Sequence, residues 1–466
     1  MVTNKMIEEE CSITPAGPPS SSTQKALTFL DLPWLFFPPT QPLFFYNHPF
    51  PLTHFISTLL PNLKLSLALT LRHFRPFAAA LFLPTQPPTK PHIVAGPHDA
   101  VDFSVVVSDS DFARLTGIHT KRGAAEIKEL APELKPRASR AAGASVVVPL
   151  LAVRVTVFPN SGFCLGLALN HVVGDSRTFN NFMKLWSTFC VDRSYHPDPS
   201  SLPICDRTVV VDTRGLEGVF LNEWWKRTAL LTSSSKLVNN DNNTLVRTSF
   251  VLGFGDVDKI RTSIGVLNLK QQHSLALDFL SPYIVTCAFL WVCVLKTQER
   301  VSQLAYDDED PNYFGFVAGG LTRFEHSVPG SYLGNCVGFG RAKATRGELL
   351  GEYGLVIGAK AIKNTVIRLD KEFLIGAENW ISEWAEMIGS DTHVMVCGSP
   401  KVDLYERDFG FGKPKKIEEI EIDSTKAISL SESRDVKGGI EIGLVLPKFK
   451  MDVFYFLFKE GLIACN

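Results

Sequence analysis

His171 and Asp175 stand four residues apart in Asn170-His171-Val172-Val173-Gly174-Asp175. An imidazole with a pKa near ~6.5 can accept a proton and return it at neutral pH, so a histidine aimed into a cleft is a candidate general base. Asp175 could be the carboxylate that partners it. The plainer alternative is a histidine satisfied inside a loop. Asp408-Phe409-Gly410-Phe411-Gly412, nearer the end, resembles a protein-kinase metal loop. No Gly-rich loop with a following strand lysine and no catalytic-loop triad precede it, so that reading fails. A phosphate-binding Gly-x-x-x-x-Gly-Lys, a dinucleotide fingerprint and a Gly-x-Ser-x-Gly elbow are also missing, which argues against a serine hydrolase. Nine cysteines lie singly at 11, 164, 190, 205, 287, 293, 336, 397 and 465. With no Cys-x-x-Cys and no histidine pair at helical spacing, they read as reduced thiols, and no metal site is expected.

The elements that must position His171 are legible on both sides of it. Leu151–Phe158 alternates in the manner of a strand, with Leu151, Val153, Val155 and Val157 on one face. Pro159-Asn160-Ser161-Gly162 supplies a turn, and Phe163–Leu169 returns as a second strand. Downstream, Phe179, Phe182, Met183 and Trp186 recur at i, i+3, i+4 and i+7, one face of a helix. Further out, residues 1–26 read as a loosely held arm, and Phe29–Phe50, dense in aromatics and prolines, as an irregular segment pressed on the body. Leu59, Leu63, Leu67 and Leu71 follow Phe55 at helix spacing, with Thr53 as N-cap and a kink or split expected at Pro61. Phe77–Leu83 and Phe103–Val107 suggest strands, Gly117–Arg140 a charged loop with helical character, and Gly218–Thr232 a helix.

The polar run 233–243 is the best linker, dividing the chain into 1–232 and 244–466. The second half predicts strands at Thr248–Leu252, Phe314–Ala318, His393–Val396 and Ile440–Val445. Its helices are predicted at Asp256–Ile264, Tyr283–Leu295, Gly351–Arg368 and Met451–Gly461. Strands and helices mixed in both halves give an α/β protein of two similar domains with a cleft between them. The chain has 466 residues, 45% hydrophobic and 20% charged, with 47 basic against 48 acidic side chains. That balance suggests no bulk attraction to nucleic acid or acidic membrane. Glu8-Glu9-Glu10 without an apolar run is no secretory leader, Phe279–Leu295 is interrupted at Ser281-Pro282, and Cys465 is misplaced for prenylation. The expectation is a cytoplasmic monomer.

His-x-x-x-Asp in mid-chain followed by Asp-Phe-Gly-Phe-Gly near the end resembles the BAHD family of plant coenzyme A-dependent acyltransferases. Leu27-Thr28-Phe29-Leu30-Asp31-Leu32-Pro33-Trp34-Leu35 and Pro42-Leu43-Phe44-Phe45-Tyr46 resemble the N-terminal signature of its anthocyanin and flavonoid glucoside acyltransferases. Tyr332-Leu333-Gly334-Asn335-Cys336 is similar to the Tyr-Phe-Gly-Asn-Cys motif of that clade. Ser399-Pro400-Lys401 through Lys413-Pro414-Lys415-Lys416, and Gly438-Gly439-Ile440-Glu441, fit as well. The resemblance implies two chloramphenicol acetyltransferase-like domains with the active site in a tunnel between them. It further implies malonyl-CoA or another acyl-CoA as co-substrate, no permanently bound cofactor, and a phenolic glucoside as acceptor. His171 would be the base in a direct attack, while Asp175, Asp408, Gly410 and Gly412 would be architectural. A hydroxycinnamoyl or acetyl donor, or a non-catalytic relative binding CoA esters or phenolics, are the alternatives.

Asn335, in a glycine-flanked turn, is the candidate oxyanion donor, or else it caps that turn. Lys259 with Arg261, and Lys413 with Lys415 and Lys416, are the cations available to coenzyme phosphates, or else a solvated face. Arg177 could pair with a malonyl carboxylate. Four positions depart from the family pattern: Ser176 after the motif aspartate, Phe411 for the loop tryptophan, Asn170 for a preceding histidine, and Gly319-Gly320-Leu321-Thr322-Arg323 for Asp-Cys-Arg-x-Arg. The last removes an arginine expected to pair with the motif aspartate, so Asp175 must use Arg323, Arg177 or a backbone donor.

Overall fold

A computed structural model of the chain describes residues 5–19, 21–84, 87–139, 145–233, 245–271, 280–302 and 306–465. The expected hairpin is present as Leu151–Phe158 and Gly162–Leu169, antiparallel, with Phe158 opposite Gly162. It forms the middle of a six-stranded sheet. In spatial order this sheet runs Lys5–Ile13, Val101–Ser108, the two hairpin strands, Pro42–Asn47 and Lys416–Glu419. The second sheet has seven strands: Val337–Thr345, Pro311–Gly319, Val394–Cys397, Ile428–Glu432, Ile440–Pro447, Leu245–Leu252 and Arg122–Gly123. A five-stranded sheet on the N-terminal side joins Thr23–Ala26, His92–Ala95, Ala80–Pro84, Ser145–Pro149 and Arg137–Ser139.

The two large sheets exchange strands. Lys416–Glu419, from the second half, pairs antiparallel with Pro42–Asn47, and Arg122–Gly123, from the first half, pairs with Leu245–Leu252. Buried charge fixes both exchanges. Arg122 Nη1 lies 2.5 Å from Glu418 Oε1, Arg247 reaches Glu418 and Asp423, and Lys416 pairs with Glu441. Burial works to raise Glu418, but Arg122, Lys416 and Arg247 outweigh it and hold its carboxyl at about 2.

Helices Leu60–His73 and Ser176–Val191 pack together in the first half. Phe179, Phe182, Met183 and Trp186 are all buried, as their spacing predicts, and Trp186 Nε1 donates to Leu63 O at 3.2 Å. In the second half Pro282–Val301 is the central helix, packed on Phe254–Lys270, Gly354–Lys371 and Lys448–Ala464.

Several expectations need correction. The expected loose arm at 1–26 is, over its described residues, tied to two sheets: Lys5–Ile13 pairs with Val101–Ser108 and Thr23–Ala26 with His92–Ala95. These are edge strands, and outward charges such as Glu8 and Glu10 hid their alternation. Phe29–Phe50 is regular in part, with a 3-10 helix at Leu32–Phe36 and the strand Pro42–Asn47. That strand is buried continuously from Pro42 to Tyr46, so it carries no period-two signal. Thr53 is not an N-cap; Pro51 holds that place before the turn Leu52–His54. The split expected at Pro61 takes the form of a π turn, Phe55–Leu59, ahead of Leu60–His73. Pro61 has no N–H to return to Ser57, which breaks the regular ladder there. Phe77 and Ala78 belong to a 3-10 turn, and the strand starts at Ala80. Within 117–140 lie the strand Arg122–Gly123, the helix Ala124–Lys128 and the strand Arg137–Ser139. The helix Leu216–Ser233 runs to the start of the expected linker, the rest of which lies outside the described residues.

Candidate active site

Strand Gly162–Leu169 ends beside a 3-10 turn, His171–Val173, whose N-cap Asn170 accepts the Val172 N–H at 3.2 Å. The turn delivers His171 to the wall of a cavity of about 360 Å³ whose other walls come from both halves of the chain. Trp34 stacks on the imidazole with ring centroids 3.5 Å apart and planes within 10°. His171 lines the cavity and is half-buried, largely covered by its neighbours. This burial lowers its pKa from 6.5 to about 4, against the opposing pull of Asp175, Asn335 and Asp31. The imidazole is therefore neutral at physiological pH.

Asn335 fixes the ring. Its Oδ1 lies 3.1 Å from His171 Nδ1, while its Nδ2 donates to Asp31 Oδ1 at 2.8 Å and to His171 O at 2.9 Å. The geometry departs from the expected oxyanion donor, because both amide hydrogens are already engaged. Asp31, missed as a site residue, is fully buried. Its Oδ2 accepts from Thr28 N and Thr28 Oγ1, each at 2.7 Å, and pairs with Arg207. One signal could have found it: a single carboxylate amid Leu27–Leu35 must be either exposed or well paired.

Asp175 is the N-cap of helix Ser176–Val191. Its Oδ1 accepts from Thr178 N at 3.0 Å and its Oδ2 from Cys336 N at 3.1 Å, with Arg177 Nη2 at 3.6 Å. Of the three alternatives for its partner, backbone donors carry most of the load, Arg177 contributes, and Arg323 goes instead to Asp370. Ser176 opens the helix on the cavity wall.

Asp408 Oδ1 gathers the N–H groups of Gly410, Phe411 and Gly412 at 2.7, 3.1 and 3.0 Å. Gly410 and Gly412 sit at φ of 93° and 92°, where a side chain would strain the turn. Phe409 wedges between Tyr46 and Trp186, edge-on to both, and Phe411 meets Phe163 edge-on at 5.6 Å. The loop closes the packing behind the site.

The candidate cations are not brought together. Among the described residues the cavity wall carries no lysine or arginine. The Arg177 guanidinium donates to Gly330 O at 2.6 Å, facing that loop and Asp175. Lys259 is exposed on helix Phe254–Lys270, where Arg261 pairs with Asp258 at 2.6 Å. Lys413 pairs at the surface with Glu406, and Lys415 Nζ lies over the Phe112 ring. Lys416 cannot serve a phosphate: it is 1% exposed and its charge is spent on Glu441.

The Transferase family model matches residues 5–459. The chain belongs to this family, the BAHD acyltransferases. It is 33% identical, over 100% of its length and 97% of the relative's, to the malonyl-coenzyme:anthocyanin 5-O-glucoside-6'''-O-malonyltransferase of Salvia splendens. It is 32% identical, over 98% and 97%, to coumaroyl-CoA:anthocyanidin 3-O-glucoside-6''-O-coumaroyltransferase 2 of Arabidopsis thaliana. Phenolic glucoside malonyltransferase 1 of the same plant is 31% identical over 97% and 96%. Vinorine synthase shares the fold at a TM-score of 0.70 and 18% identity, covering 97% of this chain and 96% of that one. This BAHD protein is thus an acyl-CoA-dependent acyltransferase of α/β fold.

Proposed function

We propose that the enzyme moves a malonyl or related acyl group from coenzyme A to a sugar hydroxyl of a flavonoid, anthocyanin or other phenolic glucoside. The observation that carries this reading is His171 on the cavity wall with its Nδ1 tied to Asn335, which leaves Nε2 as the ring nitrogen free to act on substrate. The full-length relatives named for anthocyanin and phenolic glucosides supply the acceptor class. Nε2 takes the proton of the acceptor hydroxyl as its oxygen attacks the thioester carbonyl. The tetrahedral intermediate then expels the thiolate, the C–S bond breaks, and the imidazolium returns the proton to sulfur.

No acyl-enzyme is needed. Cys336 is buried, and burial, then the Asp175 charge, pushes its thiol up to about 12. Burial also raises the thiol of Cys397 on the wall well above its ordinary value, so neither offers a thiolate. With Asn335 engaged, the lining residues, among those described, include one buried side-chain donor without a partner, Trp34 Nε1, which we assign to the oxyanion. Lys259 and Arg261 remain the candidates for coenzyme phosphates. Asp175, Asp408, Gly410 and Gly412 shape the site without touching the reacting atoms.

One observation favours a hydroxycinnamoyl donor as the second reading. Among the described residues the wall is largely apolar, its carboxyls Glu418 and Glu441 are already paired, and no lysine or arginine lines it to meet a malonyl carboxylate. Incubating the enzyme with malonyl-, acetyl- and coumaroyl-CoA and an anthocyanidin glucoside, followed by mass spectrometry, decides the donor. His171→Ala is expected to keep its circular dichroism and lose transfer at least ~100-fold; unchanged turnover would remove His171 from its role.

A further inference from the structure

We propose that Asp31 is a positioning residue for acyl transfer: by fixing which way the Asn335 amide faces, it fixes the proton of His171 on Nδ1 and leaves Nε2 as the base. This rests on the reading of His171 as the base. The argument follows from which groups can only donate and which can only accept. Asp31 lies within reach of five donors: Thr28 N and Thr28 Oγ1 at 2.7 Å each, Asn335 N at 3.2 Å, Asn335 Nδ2 at 2.8 Å, and Arg207. Held by these donors and the Arg207 charge, its carboxylate is an acceptor only. Asn335 must therefore turn its Nδ2 toward Asp31, and the second Nδ2 hydrogen goes to His171 O at 2.9 Å. The amide oxygen is left facing His171 Nδ1 at 3.1 Å, and an oxygen there can only accept. Nδ1 carries the hydrogen.

The other groups facing His171 do not set the tautomer. Trp34 offers a ring face. Asp175 acts on the ring through its charge, while its oxygens take the Thr178 and Cys336 N–H groups and its nearest cation is Arg177. Asp31 therefore sits one residue further out than a carboxylate that binds the histidine directly. An amide replaces the usual ion pair, so the orientation of the ring is specified while the imidazole keeps its low basicity.

Asp31→Asn tests this. A second amide at position 31 can present N–H to Asn335 Oδ1, letting Asn335 turn its Nδ2 to His171 and move the proton to Nε2. The readouts are kcat and KM together with the nitrogen-15 shifts of labelled histidine, assigned by loss of the signal in His171→Ala. In the native enzyme His171 should show protonated Nδ1 and bare Nε2 at pH 7. In Asp31→Asn the Nε2–H form should grow and kcat fall by ~100-fold or more, as expected when a base is held in the wrong tautomer, with KM within about threefold. A native enzyme whose His171 proton lies on Nε2 overturns the proposal, whether or not the variant folds. So does an Asp31→Asn enzyme that loses kcat with its tautomer unchanged, which would mark a structural role. If His171→Ala kept its turnover, the base reading would fail while the tautomer measurement still stood.

Discussion

In the proposed mechanism His171 is a weak base that burial keeps neutral at physiological pH. Folding lowers its pKa from 6.5 to about 4, so the unfolded chain binds more protons than the folded one between those values. Stability contributed at this site therefore falls as pH drops through that window. The acid limb of kcat/KM should bend near pH 4, and a bend near 6.5 would contradict the enclosure by Trp34. Trp34→Phe keeps a ring on the imidazole and removes the buried N–H. It is expected to lower kcat by ~100-fold with little change in KM, measured by steady-state kinetics with one acyl-CoA. At this scale the strand, turn and helix that present His171 were legible from the periodicities on either side of it, while its proposed role as base rested on the family resemblance. The direction in which Asn335 points was not legible, because it is decided by Asp31, 304 residues away in sequence.

The elements around the site are held by caps and turns that single substitutions can probe. Asp175 offers one oxygen to the helix and the other to Cys336 N. Asp175→Asn keeps a good cap but loses one acceptor, so a loss of about 1 kcal/mol is expected, whereas Asp175→Ala should cost more. Thermal midpoints of the two variants, compared with the native enzyme, check the order. Asp408→Ala strands the three N–H groups of residues 410–412, and faster proteolytic nicking there than in the native enzyme is the expected result. The helix after His171 was readable because it buries a periodic face, and the hairpin because the turn residues Pro159-Asn160-Ser161-Gly162 mark its reversal, although both of its strands are buried almost throughout. Pro42–Asn47 was not readable, since a strand covered on both sides looks like any apolar run, and Lys5–Ile13 was disguised by its edge charges.

Across the whole molecule, the two halves are tied by strands that each lends to the other and by the charges buried beneath them. Glu418→Ala leaves Arg122 and part of Arg247 without their counter-ion in a buried site, and should destabilise the protein by about 3–5 kcal/mol, read as a shift in denaturant midpoint. The polar run and the repeated vocabulary of strands and helices suggest a division of the sequence into halves, and most of that run lies outside the described residues. The lending of strands was not visible, because Arg122–Gly123 has two residues and Lys416–Glu419 four, too short for a periodic signal. The same arrangement carries a consequence for how the protein is made. Gln41 N bonds Glu421 across 380 residues of sequence, so the partner strand of Pro42–Asn47 leaves the ribosome roughly 20–80 s later at ~5–20 residues per second. Throughout that interval the nascent chain carries an apolar, unpaired sheet edge, and chaperone supply during translation should limit the yield of active enzyme.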